Sequence, residues 1–248
     1  MAERVAVGLL LCAQLAAIWW FLKGDLTRWR PFRGLRDGAG RTRRYWRWCV
    51  KDVIAFALPP LLGLLLLGRL DALAIVPEEF TAARALLPQL GPEALRTIGL
   101  SAAAGFAGVT AIVVLAGRLR RSRKPFGTLG RVDAVLPGSP RELGAAAVLS
   151  LSAGVTEELA FRLFLPLALT IATGSALLGF GLAAPVFGAM HRYQGWVGMI
   201  ATTLVGLALT AVYLVTGRLW VAMACHVAID LNGLVLRPLL TGRWRANS

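Results

Sequence analysis

Residues 143–172 read LGAAAVLSLSAGVTEELAFRLFLPLALTIA, a stretch in which Glu157, Glu158 and Arg162 are the only charged side chains. Crossing hydrocarbon takes about 20 apolar residues at roughly 1.5 Å of rise each, so this run is long enough to do so. Similar runs recur at about 5–22, 53–76, 97–117, 175–191, 196–216 and 219–236. The pattern predicts an all-α, polytopic transmembrane helix bundle of about seven to eight spans, forming a single integral-membrane domain over 1–248. Pro166 and Gly174 interrupt the stretch from 143 to 190, so a re-entrant piece is an alternative to two plain spans there. Composition points the same way: 57% of residues are apolar, 16% are charged, and the mean hydropathy is +0.66. Those values exclude a soluble globule.

The net charge of +14 comes from 27 Lys and Arg against 13 Asp and Glu. Seventeen of the 27 fall in two short segments, ten in Lys23–Lys51 and seven in Arg118–Arg141. That clustering between apolar runs is the pattern of cytoplasmic loops, with anionic lipids as their partners, and it argues against a nucleic-acid partner. With both loops inside, the chain ends on the cytoplasmic side at Arg237, Arg243 and Arg245. The Arg- and Ala-rich composition suits a bacterial plasma (inner) membrane.

Cys12, Cys49 and Cys225 show no paired spacing, so reduced packing thiols are expected rather than a disulfide framework. The first run has no small-x-small cleavage site before Lys23 and carries Trp19 and Trp20 near its end, which reads as an uncleaved, interface-anchored helix. Pro77–Arg96 holds Glu78, Glu79 and Glu93 with three prolines and is expected to form an external loop with a short amphipathic helix. Small residues from Ala102 to Gly108 mark a face for close helix approach. No fixed-period repeat is present, which gives a repeat-built transporter no support.

Against this apolar background the informative residues are ionisable. Glu157, Glu158 and Arg162 lie in the fourth run, His191 closes the fifth, and His226 and Asp230 lie in the seventh. Each buried charge costs roughly 2.5–3.5 kcal/mol at a helix centre, so such a set marks a functional site by default. Three pairs, Glu158–Arg162, Phe187–His191 and His226–Asp230, have the i,i+4 spacing that puts both members on one helix face. Both histidines of the chain belong to them. A plain salt bridge accounts for Glu158–Arg162 alone but leaves Glu157, about 100° away on the helix, without a partner in its own helix.

A carboxylate that takes a proton from water, an imidazole that donates to an oxyanion and a second acid that orients them are equipment for hydrolysing an amide or ester. Two His and one or two carboxylates also supply the donors for a catalytic Zn2+, with Glu157, His191 and His226 as the candidate metal ligands. Both routes stay open at this level. HExxH, GxGD and GxSG signatures are absent.

The three motifs in order are EExxxR in GVTEELAFRLFL (154–165), FxxxH in VFGAMHRYQG (186–195) and HxxxD in LWVAMACHVAID (219–230). Together they resemble those of the CPBP family, the CAAX prenyl protease and bacteriocin-processing intramembrane proteases. The resemblance covers about 143–236 as a catalytic core, and leaves 1–142 as accessory N-terminal helices with Arg-rich loops. It implies an intramembrane endopeptidase, of metalloprotease or glutamate-protease type, acting on a membrane-associated or prenylated-like peptide or protein substrate. By similarity Glu157 activates the water, Glu158 and Arg162 orient it, His191 assists attack or binds metal, and His226 with Asp230 stabilises the oxyanion. Many members carry Asn at the position of Asp230, and an ionised Asp cannot donate to an oxyanion, so a His-orienting or metal-ligand role suits Asp230 better. A non-proteolytic scaffold or a bacteriocin-immunity protein on the same fold is the competing reading. Counting inward from the expected span ends puts His226 and His191 about 13 Å apart in depth, so either those span ends shift or the helices are tilted and broken.

Overall fold

The computed structural model describes residues 2–34, 38–119 and 135–242. Residues 120–134, which hold five basic residues of the second Arg-rich segment, lie outside the described residues, as do Arg243 and Arg245. The side chains of 2–4, 24–34 and 117 lie outside the description as well.

Every regular element among the described residues is helical. The chain runs through α1 (Ala2–Gly34), α2 (Gly38–Asp52) and α3 (Leu58–Leu66), then two 3-10 turns and the short α4 (Thr81–Arg84), to α5 (Pro92–Leu119). It continues through α6 (Pro140–Glu158), α7 (Leu165–Thr173), α8 (Ala176–Met190), α9 (Gly195–Thr216), α10 (Leu219–Leu231) and α11 (Arg237–Leu240). Among the described residues, five continuous helical stretches are long and apolar enough to cross a membrane: Val5–Lys23, Gly38–Leu66, Pro92–Ala116, Arg192–Thr216 and Leu219–Leu240. Ala176–Met190 is apolar but shorter.

The second stretch differs from its expected limits. Helix begins at Gly38, so the basic segment before residue 53 is folded rather than a loop. Its physical reason is an anchor on α6: Arg41 Nε donates to Glu142 Oε2 at 2.8 Å, and Tyr45 donates to the carbonyl of Val135. Glu142 is held in turn by a capping arrangement in which its backbone N–H donates to Ser139 Oγ. Similarly, the segment after Pro77 is more than a connector. Phe80 is fully buried against Phe180 and Tyr213, Arg69 pairs with Glu79, and Arg84 donates to the carbonyl of Leu214.

Among the described residues, three π-helical segments interrupt the bundle: Val53–Ala57, Leu159–Phe164 and Asn232–Leu236. Each has a cause in the sequence. Pro59 with Pro60, Pro166 and Pro238 have no N–H for the carbonyl four residues back, and in every case that carbonyl lies inside the π segment. The residue closing each segment donates five residues back instead: Leu58 to Val53, Leu165 to Ala160 and Arg237 to Asn232.

Helix α6 is the centre of the arrangement, packed on one side by α2 and on the other by α10, while α8 lies between α7 and α9. Gly154 permits the α6–α10 approach, since a Cβ there would stand 2.8 Å from the backbone N of Val227. Helix α5 sits at the periphery with most of its side chains exposed, fitting a lipid-facing wall, and is tied inward by the Asn232–Thr110 hydrogen bond of 2.9 Å.

Candidate active site

Glu157 and Glu158 end α6 and Arg162 sits in the π segment that follows, all three buried, Glu158 and Arg162 to within 1%. Arg162 Nη1 lies 3.0 Å from Glu158 Oε1, so the i,i+4 pair exists as the spacing predicts. It does not stand alone. His226, brought in on α10 by the contact at Gly154, donates from Nδ1 to the same Glu158 oxygen at 2.7 Å. Glu158 thus holds both the Arg162 guanidinium and the His226 ring in the apolar interior, where an unpaired charge would be costly.

With Nδ1 committed to Glu158, the His226 ring turns Nε2 toward Glu157 Oε2 at 4.0 Å and Asp230 Oδ2 at 3.8 Å. Both separations exceed a direct hydrogen bond but can be bridged by one oxygen atom. Glu157 Oε2 is buried with no hydrogen-bond partner among the described residues, which is unusual for a carboxylate oxygen and marks a group kept available.

Phe187 is the hub of the apolar side. Its ring lies 4.1 Å from the Arg162 guanidinium carbon, 5.0 Å from the His191 ring and 5.9 Å from the His226 ring, with Phe161 behind it at 5.3 Å. Gly206 on α9 makes the space, because a Cβ there would come within 2.9 Å of Phe187. His191 donates from Nδ1 to the Phe187 carbonyl at 3.1 Å, which leaves its Nε2 bare. Both imidazoles therefore stand on one ring, and the expected 13 Å difference in depth is not present. Helix α8 has only 15 residues, about 22 Å of rise, and its end carrying His191 lies beside His226 across the Phe187 ring.

A cavity of about 380 Å³ opens on this cluster, and Glu157, His191 and Asp230 line it. Glu158, Arg162 and His226 stand behind that surface as its support. Among the described residues no three His, Cys, Asp or Glu side chains converge as a metal site requires, Glu157, His191 and His226 included. That donor geometry does not fit a metal centre among the described residues.

The motifs did not single out Asp52, Tyr45 or Arg237 for this cavity, yet all three line it. Asp52 carried a usable signal, an acid at the very start of an apolar run. The N-terminal helices are accordingly walls of the site: α1 supplies Phe21, and α2 supplies Tyr45, Trp48 and Asp52.

Residues 139–232 match the family model described as type II CAAX prenyl endopeptidase Rce1-like. The match encloses all three motifs and agrees with the family that they resemble. No curated protein and no solved structure matches the chain.

Proposed function

We propose that this Rce1-like membrane protein is an intramembrane endopeptidase that uses Glu157 to activate water, without a metal, and cuts a membrane-anchored peptide near its end. The observation that carries the reading is the pairing of an unpartnered, buried Glu157 oxygen with His226 Nε2 across a 4.0 Å gap at the cavity wall.

In this mechanism Glu157 accepts a proton from water, and the water oxygen attacks the substrate carbonyl carbon. His226, doubly protonated, keeps one N–H on Glu158 and presents the other to the oxyanion. Asp230 at 3.8 Å orients that ring and does not itself donate. The tetrahedral intermediate collapses as Glu157 passes its proton to the leaving amine, which restores the carboxylate. His191, which lines the cavity and whose Nδ1 is held by the Phe187 carbonyl, accepts a hydrogen bond at Nε2 from the substrate or the attacking water.

The charged stretch through α6 and α7, together with the short α8, also sits within the bilayer, giving seven membrane elements with the basic ends of α2, α5 and α11 on the cytoplasmic side. Support comes from the exposed apolar side chains of Leu151, Val155, Leu177 and Leu182, which water would penalise and lipid would not.

The test is reconstitution of wild type and Glu157→Gln in liposomes with a solubilised membrane extract. Wild type should generate new peptide ends that Glu157→Gln does not; identical ends from both would refute the assignment.

A further inference from the structure

We propose that the side-chain oxygen of Asn232 accepts a hydrogen bond from a backbone N–H of the peptide cut at Glu157, which makes Asn232 a binding residue for an extended stretch of substrate main chain. The inference rests on the proteolytic reading and adds a contact that none of the three motifs contains.

Asn232 opens the π segment after α10 and is the one buried residue of that segment. It is 4% exposed and lines the cavity two residues beyond Asp230. Its Nδ2 donates to Thr110 Oγ1 of α5 at 2.9 Å, and the Thr110 hydroxyl gives its own single proton to the Phe106 carbonyl at 2.8 Å. A hydroxyl that has spent its proton can only accept, so the Asn232 amide is fixed with its NH2 toward Thr110 and its Oδ1 not engaged by α5. That oxygen is buried and has no hydrogen-bond partner among the described residues. Buried polar atoms are nearly always paired, and an unpaired acceptor at a cavity wall marks a place for a donor that arrives with the ligand. Tying α5 to the bundle does not account for it. One donor is sufficient for that tie, whereas an amide supplies the donor and leaves a second group orphaned.

Chemistry narrows the donor to a main-chain amide. Oδ1 is a neutral acceptor, and the lining includes the apolar Phe106, Leu149, Ile229 and Leu234. One neutral oxygen in such surroundings does not repay the desolvation of an ammonium or guanidinium. A peptide N–H carries no charge, and every peptide substrate brings one. To expose its carbonyl to attack, a chain must leave helical hydrogen bonding, and in hydrocarbon each N–H so released needs a new acceptor. Asn232 stands at a matching distance. It follows His226 by six residues, about 9 Å along the helix at 1.5 Å per residue. Extended chain covers about 3.4 Å per residue, so the N–H that Asn232 takes lies about two or three residues from the carbonyl that His226 serves.

The experiment uses full-length protein in liposomes. A short N-palmitoylated peptide is chosen from a randomised mixture by its retention on Glu157→Gln. It is then remade with each backbone amide replaced in turn by an ester, which removes one N–H and keeps the chain length; the ester at the scissile bond is left out of the comparison. Cutting by wild type and binding to Glu157→Gln are measured in parallel. One ester position, about two or three residues from the cut, should stand out with a loss of about tenfold in both. Asn232→Ala should handle the all-amide peptide about tenfold more weakly and lose nothing further with that ester, while Thr110→Ser, which keeps the hydroxyl, should match wild type. An ester series without a position-specific loss overturns the assignment with no variant needed, and where cutting is intact it leaves the protease reading in place. A position-specific loss that persists in Asn232→Ala, or an equal weakening of every peptide by that substitution with that ester included, assigns Asn232 to the α5 tie alone and also overturns the proposal. A position-specific loss in binding that needs Asn232, without any cutting by wild type, supports the site and sinks the protease reading. Retention of no peptide at all sinks both.

Discussion

His226 Nδ1 donates to Glu158 Oε1 at 2.7 Å, joining two helices whose residues are 68 apart in sequence, and the same oxygen lies 3.0 Å from Arg162. Glu158 is thereby the counter-ion of the centre, and Glu157 is the proposed base, although the two are adjacent and chemically identical. One turns toward the supporting cations and the other toward the cavity, because consecutive helix positions differ by about 100°.

Their substitutions should consequently separate. Glu158→Gln leaves Arg162 buried without its counter-charge, and breaking such a pair costs about 3–5 kcal/mol. Glu157→Gln removes no short contact. Thermal unfolding in detergent should place Glu158→Gln well below wild type and Glu157→Gln within a few degrees of it, while both lose activity. Equal melting of the two variants would contradict the division of roles.

Gly154 should be intolerant of any side chain. A Cβ there meets Val227 N at 2.8 Å and Val227 Cα at 3.0 Å, and backbone cannot turn aside as a side chain can. Gly154→Val should part α6 from α10, lengthen the Glu158–His226 bond and lower activity by about tenfold or more. Gly144→Ala on the same helix meets nothing within 4 Å and serves as the control. Activity assays on the two variants, matched for membrane-inserted protein, decide the point.

The extramembrane segment carries a pH-dependent tie. Hydrogen bonds from the Arg69 guanidinium at 2.7 and 2.8 Å hold the Glu79 carboxyl below the usual carboxylate range. A group whose folded pKa is depressed contributes its stability above the unfolded value and loses it as the pH falls through the folded one. Because both side chains are about a quarter exposed, the contribution is under about 1 kcal/mol. Unfolding free energies of wild type and Glu79→Gln should differ by that amount at neutral pH and converge once the pH has fallen below the depressed Glu79 pKa.

Removing metal should leave the reaction in place. Glu157, His191 and His226 do not converge as ligands, and the proposed base acts directly on water. Protein dialysed against a strong chelator should cut at the rate of untreated protein, and restoration of a lost rate by added zinc would overturn the metal-free mechanism.

Much of this was legible in the sequence because hydrocarbon makes charge conspicuous. Glu157, Glu158, Arg162, His191, His226 and Asp230 stand out for cost alone, and i,i+4 spacing pairs them correctly within each helix. What spacing cannot give is contact between helices. The Glu158–His226 bond depends on Gly154 opposite Val227, and His191 comes beside His226 across the Phe187 ring. The basic segment before residue 53 was similarly opaque, since Arg41 finds its acid, Glu142, 101 residues away. Prolines at 59, 60, 166 and 238 were visible, but their result, a π segment just before each, required the hydrogen-bond ladder.

The most direct measurement compares peptide termini in membrane fractions of cells expressing wild type or Glu157→Gln at matched, membrane-inserted levels. New termini are expected with wild type alone, in membrane-anchored proteins. Identical sets of termini from the two would mean that the buried charges form a structural or binding clasp, and would contradict the account at its centre.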